Sequence, residues 1–372
     1  MTARRIGVNL LWLRPGEVGG TETYIRRVLR AVSTFDPDIE WHLYGTESAI
    51  RAARPVDANC VAHESGASTA SRARRVLAER TWLKTNLDST LDVVHHPGGT
   101  VPFPTETPTI LTLHDLQPLE LPGNFSRVKQ QFLRRSIPSA VERADVITTP
   151  SDWVREQVID RFGLPSDKVM TVSAFAEPID LSLDSRPTSG LQQLLTQGPI
   201  LFYPAMTMAH KNHRMLFDAF GDAVRREPDL QLVCVGAVGR DDADIGSHAA
   251  SVSSRIHMLG HVARRDLDTL FLRSEMMVFP SRYEGFGLPI LEAQHAGLPV
   301  IASNVTALPE VAGSSTVLLA PDDRDAWSNA MLDRPGVEER SRYVTNGFAN
   351  ARRYSPEHTA EQQQRAYERL TS

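Results

Sequence analysis

Short apolar runs of strand length alternate along the chain with stretches in which apolar residues recur every three or four positions, the pattern of parallel sheets covered by helices. In the first half the runs at 6–11, 40–44, 92–95, 109–113, 145–149 and 168–172 predict strands. Between the first two, Ile25, Val28, Leu29 and Val32 fall at helical spacing, with Arg26, Arg27 and Arg30 mostly off that stripe. Residues 174–198 break the rhythm with Pro178, Pro187, Gly190, Gly198 and three serines, and read as a linker. A second series follows at 200–203, 231–235, 256–259, 276–279, 299–302 and 316–319. The prediction is an α/β chain of two Rossmann-like, doubly wound domains, 1–178 and 179–351. In such folds ligands gather at the carboxyl ends of strands, so residues just after each strand carry the search for chemistry.

Length agrees with two domains, because 372 residues exceed what one core usually organises. With 41% apolar and 23% charged residues the composition is that of a globular enzyme. Net charge is −5, from 40 basic and 45 acidic residues, which argues against a whole-molecule nucleic-acid binder. Cys60 and Cys234 lie far apart in apolar runs and imply neither a disulfide framework nor a metal site, so a reducing, cytoplasmic compartment is expected. No apolar stretch is long enough to span a membrane. Arg4-Arg5 and the apolar run after them imitate a signal peptide, but the run is short, contains Asn9 and meets Arg14, so it reads as a first strand.

The strongest motif is Pro280-Ser281-Arg282-Tyr283-Glu284-Gly285-Phe286-Gly287-Leu288-Pro289-Ile290-Leu291-Glu292, directly after the run 276–279. Its glycines let the backbone approach a ligand, and Pro289 suits the first turn of a helix whose N–H groups would face an anion. Glu292 could reach paired hydroxyls and Glu284 a second ring, so a phosphate with a sugar at either end fits the arrangement. A glycine-rich turn followed by a glutamate that favours the helix dipole is the bland alternative. His210-Lys211-Asn212-His213 follows the run 200–203, where Lys211 could neutralise a departing diphosphate. Gly19-Gly20-Thr21-Glu22 sits before the first helix, where Thr21 could cap and the glycines could admit a phosphate or sugar. The dinucleotide fingerprint G-x-G-x-x-G is missing there and after 231–235, where Gly236-Ala237-Val238-Gly239 has other spacing, which argues against a nicotinamide enzyme.

His114-Asp115 ends the run 109–113, and a histidine there could donate to a substrate hydroxyl or be satisfied by local backbone. His95-His96-Pro97 is assigned to cleft lining and loop geometry. Of the Asp-x-Asp pairs only Asp242/Asp244 follows a strand end, and it alone stays open as a magnesium site; no metal is expected. No zinc pair and no G-x-S-x-G is present. Segments 70–84 and 127–143 each carry a net charge of +4. The first, with Val76, Leu77, Trp82 and Leu83, is either a peripheral membrane contact or a solvated helix face.

In order and spacing, the Gly19-Gly20 pair with Glu22, His114-Asp115, Lys211-Asn212 and the Glu284-to-Glu292 loop resemble the retaining glycosyltransferases of family 4 (glycosyl transferases group 1), of GT-B fold. Even Tyr354-Ser355-Pro356-Glu357 before a last helix is similar to the family's carboxyl terminus. The resemblance implies two Rossmann-like domains facing a cleft, acceptor on the first and nucleotide-sugar donor on the second, with a C-terminal helix, 352–372, crossing back. It implies that Glu292 holds the ribose. Glu284, with Gly285, Phe286, Gly287 and Leu288, would hold the transferred sugar. Lys211 and His210 would sit on the diphosphate, Gly19 and Gly20 would approach that phosphate, and His114 would face the reacting carbon, so His114, Lys211 and Glu284 are the expected catalytic residues. It further implies front-face attack, in which the leaving phosphate helps to deprotonate the acceptor. One departure is that the family's usual arginine beside the lysine is replaced by His210, leaving Arg240, Arg264 or another cation to substitute. The His-Lys-Asn-His form is similar to that of bacterial mannosyltransferases, which makes GDP-mannose the expected donor and a glycan, lipid-linked or small-molecule hydroxyl the acceptor, with no further cofactor. A nucleotide-sugar epimerase, a phosphorylase, and a binding protein that has lost catalysis are the alternatives.

Overall fold

The computed structural model describes residues 4–17, 19–66, 71–179, 187–334 and 336–371, and the chain divides into two units, Met1–Phe175 with Tyr354–Ser372, and Ala176–Arg353. The first unit is built on strands β1 (Arg5–Asn9), β2 (Glu40–Gly45), β3 (Cys60–Glu64), β4 (Val93–His96), β5 (Thr109–Thr112), β6 (Val146–Thr149) and β7 (Val169–Thr171). They pair in parallel in the order β3-β2-β1-β4-β5-β6-β7. The central strands are buried along their length, because helices cover both faces of a parallel sheet and an unbroken apolar run has no wet side to offer. The helix Gly20–Phe35 presents Tyr24, Ile25, Val28, Leu29 and Val32 as its buried stripe. The last helix, Pro356–Thr371, lies against it. That last helix is held by polar contacts too: the Tyr367 hydroxyl is 3.1 Å from His95 Nδ1, and Thr359 Oγ1 donates to the Ser173 carbonyl at 2.8 Å.

The second unit carries β8 (Ile200–Pro204), β9 (Gln231–Val235), β10 (Ile256–Met258), β11 (Met276–Phe279), β12 (Val300–Ser303) and β13 (Thr316–Leu319), parallel in the order β10-β9-β8-β11-β12-β13. In each sheet the strand order reverses at one place, between β1 and β4 and between β8 and β11, and the carboxyl ends of those strands form the crevice where such folds bind ligands.

Four sequence expectations change. β3 was not expected: it is an edge strand whose side chains are mostly exposed, so it has no apolar run, and Cys60 is only partly buried. Its His63 is instead stacked on Tyr44, with ring centroids 4.3 Å apart. The stretch 174–198 is more than a linker, since Ser189–Leu194 is helical with Leu191 buried; residues 180–186 lie outside the described residues. Thr21 does not cap, because the helix starts at Gly20 and its N-cap is Gly19. His95 and His96 are core rather than lining residues: His95 Nε2 lies 2.7 Å from Thr112 Oγ1, and Asn9 Nδ2 lies 3.3 Å from His96 Nδ1.

Candidate active site

At the reversal point of the second sheet, two loops are tied together by their backbones. After β8 the chain runs to a short 3₁₀ turn, Ala209–Lys211, then to Asn212 at φ 62° and ψ 31°, and into the helix His213–Arg226. Asparagine is among the few residues that adopt this left-handed conformation readily. Its Nδ2 donates to the Pro321 carbonyl at 2.7 Å. After β11 the chain enters the 280–287 loop, whose Arg282 N–H donates to the His210 carbonyl at 2.8 Å. The Glu284 N–H donates to Thr306 Oγ1 at 3.1 Å, and the Tyr203 hydroxyl donates to the Lys211 carbonyl. These bonds place Lys211 and Glu284 face to face, with Nζ 2.5 Å from Oε1 and both side chains about one-seventh exposed.

Gly285, Phe286 and Gly287 continue that loop to the helix Leu288–His295. Gly287 has φ 103°, a conformation that requires glycine, and a Cβ there would lie 2.7 Å from Leu308 Cδ2 and push that side chain aside. The Phe286 side chain is buried, which leaves the main chain as what this part of the loop presents. The helix start offers fewer donors than expected, because Pro289 has no N–H and that of Ile290 goes to the Gly287 carbonyl. Along the helix Ile290, Leu291, Ala293 and Gln294 are buried, while Leu288 and Glu292, one turn apart, share the half-exposed face. Lys211, Glu284 and the glycine loop are therefore contiguous, with Glu292 one turn further into the helix.

The expected phosphate cations are fewer than the motifs implied. His210 is 8% exposed, and burial, helped by the Lys211 ammonium, pushes its imidazole down to about 4, so it is neutral at physiological pH. Arg264 is engaged by Asp268 at 2.8 Å, and Arg282 by Asp322 at 2.5 Å; Arg240 is exposed. At the Asp242/Asp244 pair, Asp242 accepts from Thr207 Oγ1 at 2.7 Å and Asp244 from Arg214 at 2.7 Å. Among the described residues no group of three or more His, Cys, Asp or Glu is placed to hold a metal ion. Sequence reasoning missed Thr207, Asp241 and Thr306. Thr207 Oγ1 also accepts from Gly239 N at 2.7 Å, and Asp241 accepts from Ala209 N at 2.8 Å, so the loop after β9 braces the Lys211 loop. Gly239 is the signal that was available, since a Cβ there would lie 2.0 Å from the Thr207 carbonyl oxygen. Thr306 lies 22 residues from Glu284 and belongs to no local pattern.

In the first unit, Gly19 (φ 65°) and Gly20 are exposed at the start of the first helix, and the buried Glu22 accepts from the Gly16 N–H at 2.8 Å, folding the preceding loop back. His114 follows β5, its Nε2 2.9 Å from the Pro97 carbonyl and its ring edge-on to Tyr24 at 5.0 Å. Facing a carbonyl, Nε2 carries the proton, and burial pushes the imidazole down to about 4. His114 is thus a neutral side chain whose Nδ1 is the remaining acceptor. The Nε2 bond matches the alternative in which local backbone satisfies this histidine.

Two family descriptions match the chain: "Glycosyltransferase Family 4" over residues 18–176 and "Glycosyl transferases group 1" over residues 198–334. The chain is 32% identical over 287 residues to the O-antigen chain mannosyltransferase B of Escherichia coli, covering 75% of this chain and 74% of the relative. It is 24% identical over 259 residues to the O-antigen chain mannosyltransferase RfbU of Salmonella typhimurium, covering 68% and 67% respectively. Among solved structures it shares the fold of a UDP-forming trehalose-phosphate synthase from Burkholderia xenovorans, with TM-score 0.74, 15% identity and full coverage of both chains. It likewise resembles Anabaena Alr3699/HepE in complex with UDP and glucose, with TM-score 0.70, 17% identity and full coverage of both.

Proposed function

The chain belongs to the family 4, group 1 glycosyltransferases, which have the GT-B fold, and from that premise we propose that it moves a mannosyl unit from GDP-mannose to a hydroxyl of a cell-envelope glycan, with retention of configuration. Membership disfavours the epimerase, the phosphorylase and the inactive binder. The observation that carries the reading is the Lys211–Glu284 contact at the reversal point of the second sheet. There the ammonium neutralises the departing diphosphate while the carboxylate turns to the hydroxyls of the sugar. Glu292 holds the ribose, and the main chain from Gly285 to Leu288, with the neutral His210 beside Lys211, lines the phosphates. On the first unit Gly19 and Gly20 keep the phosphate-contacting role that the resemblance implies for them, and His114 accepts a substrate hydroxyl.

In the step itself the bond from the anomeric carbon to the diphosphate oxygen breaks, and the acceptor oxygen bonds to that carbon on the same face. The acceptor proton passes to the departing phosphate. Charge stabilisation and positioning are then the protein's contribution. The two O-antigen mannosyltransferases among the relatives support the donor sugar and the glycan acceptor. A peripheral contact with the cytoplasmic membrane face through segment 70–84 completes the reading. Arg74 and Lys84 are exposed and Leu77 is 61% exposed, while residue 70 lies outside the described residues. No described helix is long and apolar enough to cross a membrane.

A panel of GDP-, UDP-, ADP- and dTDP-sugars tests the donor by thermal shift and by acceptor-dependent nucleotide release. GDP-mannose should raise the melting temperature most and be the one consumed. Stabilisation by another donor with none by GDP-mannose overturns the sugar assignment, and conversion of any donor into an isomeric nucleotide sugar without an acceptor glycan overturns transfer.

A further inference from the structure

The loop after β12 holds a backbone conformation that its residue does not favour. Among the described residues three that are not glycine have positive φ: Asp57, Asn212 and Thr306. Aspartate and asparagine enter the left-handed region readily, but a β-branched side chain there is an outlier, and Thr306 has φ 55°. Such a conformation persists only where its surroundings over-determine it. Here they do. Ala307 and Leu308 are fully buried, the Asn304 N–H donates to the Leu319 carbonyl at 2.7 Å, and the Leu308 N–H donates to the Val305 carbonyl at 3.2 Å. The Leu308 side chain also packs against Gly287, 2.7 Å from where a Cβ would stand, which locks this turn to the glycine loop.

Glycine or asparagine would take that φ at little cost, so what threonine brings to position 306 is its side chain. Thr306 Oγ1 accepts from the Glu284 N–H at 3.1 Å. A hydroxyl has two lone pairs and one proton to give. The bond to Glu284 uses a lone pair, and the proton has no acceptor among the described residues. Thr306 is partly exposed, so an O–H donor stands at the surface beside Glu284.

The sheet fixes where that donor lies. β8, β11 and β12 are neighbours in that order, and the loops leaving their carboxyl ends carry Lys211, Glu284 and Thr306. Lys211 meets the Glu284 side chain while Thr306 meets the Glu284 main chain, so the cation and the hydroxyl flank the carboxylate. A ligand with its diphosphate at Lys211 and its sugar at Glu284 comes next to Thr306. The two groups that face the sugar are complementary. An ionised carboxylate only accepts, the Thr306 hydroxyl has a proton to donate, and a sugar hydroxyl does both.

We propose that Thr306 is a sugar-binding, specificity-determining residue, whose hydroxyl donates to a hydroxyl of the transferred hexose on the edge that Glu284 grips. This rests on the glycosyltransferase reading and adds to it a residue that reads the hexose.

The test is calorimetric titration of the full chain with GDP, with GDP-mannose, and with GDP-mannose analogues that each lack one hexose hydroxyl. T306V keeps the β-branch and removes the hydroxyl. It should weaken GDP-mannose about tenfold and leave GDP within about twofold, and T306S should recover most of the loss. One deoxy analogue should bind the unmutated chain about tenfold more weakly than GDP-mannose and lose nothing further in T306V, because the same hydrogen bond is already gone. Unchanged GDP-mannose affinity in T306V overturns the proposal. So do losses that add for every analogue, since the hydroxyl would then serve only to tie down the Glu284 loop. Should T306V fail to fold, T306A removes the same hydroxyl with less crowding at φ 55° and takes its place in each titration. If another sugar nucleotide of the donor panel binds more tightly, its own deoxy analogues replace those of GDP-mannose. A chain that binds no donor of that panel refutes the nucleotide-sugar reading itself, whereas tight donor binding with additive losses refutes the role of Thr306 alone.

Discussion

Replacing Lys211 by alanine should do more damage than removing one cation, because the change uncovers Glu284. The two side chains meet at 2.5 Å and are each about one-seventh exposed. Losing a preorganised group that stabilises developing charge costs about 10²–10³ in kcat, or about 3–4 kcal/mol. The bare Glu284 carboxylate then faces the diphosphate. At about 5 Å and an effective dielectric of about 20 the repulsion is about 3 kcal/mol. K211A should therefore lose on the order of 10⁴ in kcat/KM, and K211A/E284Q should regain at least about tenfold of it, since glutamine removes the repulsion but still bonds sugar hydroxyls. The loops should survive both changes. Their ties use neither the Lys211 nor the Glu284 side chain: Arg282 N–H to His210 O at 2.8 Å, Glu284 N–H to Thr306 Oγ1 at 3.1 Å, and the Tyr203 hydroxyl to Lys211 O. Initial rates of nucleotide release at varied donor, beside thermal melts of each protein, provide the measurement. A K211A enzyme within tenfold of the unmutated one would refute the role of the lysine, and a double variant no faster than K211A would refute the electrostatic account of the pair.

E292A should weaken nucleotide binding by about ten- to a hundredfold if the carboxylate grips the ribose, measured by calorimetric titration with GDP; unchanged affinity would remove Glu292 from the site. G287A forces a left-handed φ of 103° on alanine and brings its Cβ within 2.7 Å of Leu308 Cδ2, so it should cost about 1–3 kcal/mol of stability by urea unfolding and slow transfer as the loop shifts. Burial holds His95 and His96 down to about 3 and His114, His210 and His213 down to about 4, so in the folded chain they stay neutral where the unfolded chain protonates near 6.5. Their contribution is present above pH 6.5 and is lost as pH falls from there towards 4, at up to about 1.4 kcal/mol per pH unit for each histidine; urea midpoints between about pH 7 and pH 5 should drop, less steeply in H95Q. Sedimentation with vesicles should show binding to anionic but not to neutral lipid, lost at high salt and weakened in R74Q/K84Q; binding that ignores lipid charge would contradict the basic contact.

Where burial is continuous, the residues announce the fold. β9 and β11 begin and end where their apolar runs do, because a strand inside a parallel sheet must be apolar on both faces. β3 escapes for the opposite reason. As an edge strand, with Val61 and Ala62 exposed, it is held by main-chain pairing to β2, which leaves no trace in residue type. The candidate site divides in the same way. Gly287, Lys211 and Glu284 are legible because a left-handed turn, a cation after a strand and a carboxylate beside glycines are chemical types in a recognisable order. The tautomer of His114 was not legible, since it depends on the carbonyl of Pro97, 17 residues earlier. Nor was the hydrogen bond from Thr207 to Asp242, 35 residues away. Such partners are chosen by the packing of loops, and nothing nearby in sequence encodes them.

The charge balance of the second unit bears on how a nucleotide sugar would be held. Lys211 is already neutralised by Glu284, His210 is uncharged, and Arg264 and Arg282 are committed to Asp268 and Asp322. At Lys211 a donor would not simply add its diphosphate to waiting positive charge; it would exchange partners. The diphosphate takes the ammonium from Glu284, and the freed carboxylate is left paired only if sugar hydroxyls reach it at the same moment. A nucleoside diphosphate alone would strand a carboxylate that is about one-seventh exposed, at a cost of about 1–3 kcal/mol, whereas the intact nucleotide sugar satisfies both ends. On the proposed reading the ion pair would thereby discriminate substrate from product, favouring the ligand that still carries its hexose and easing release of the one that has lost it.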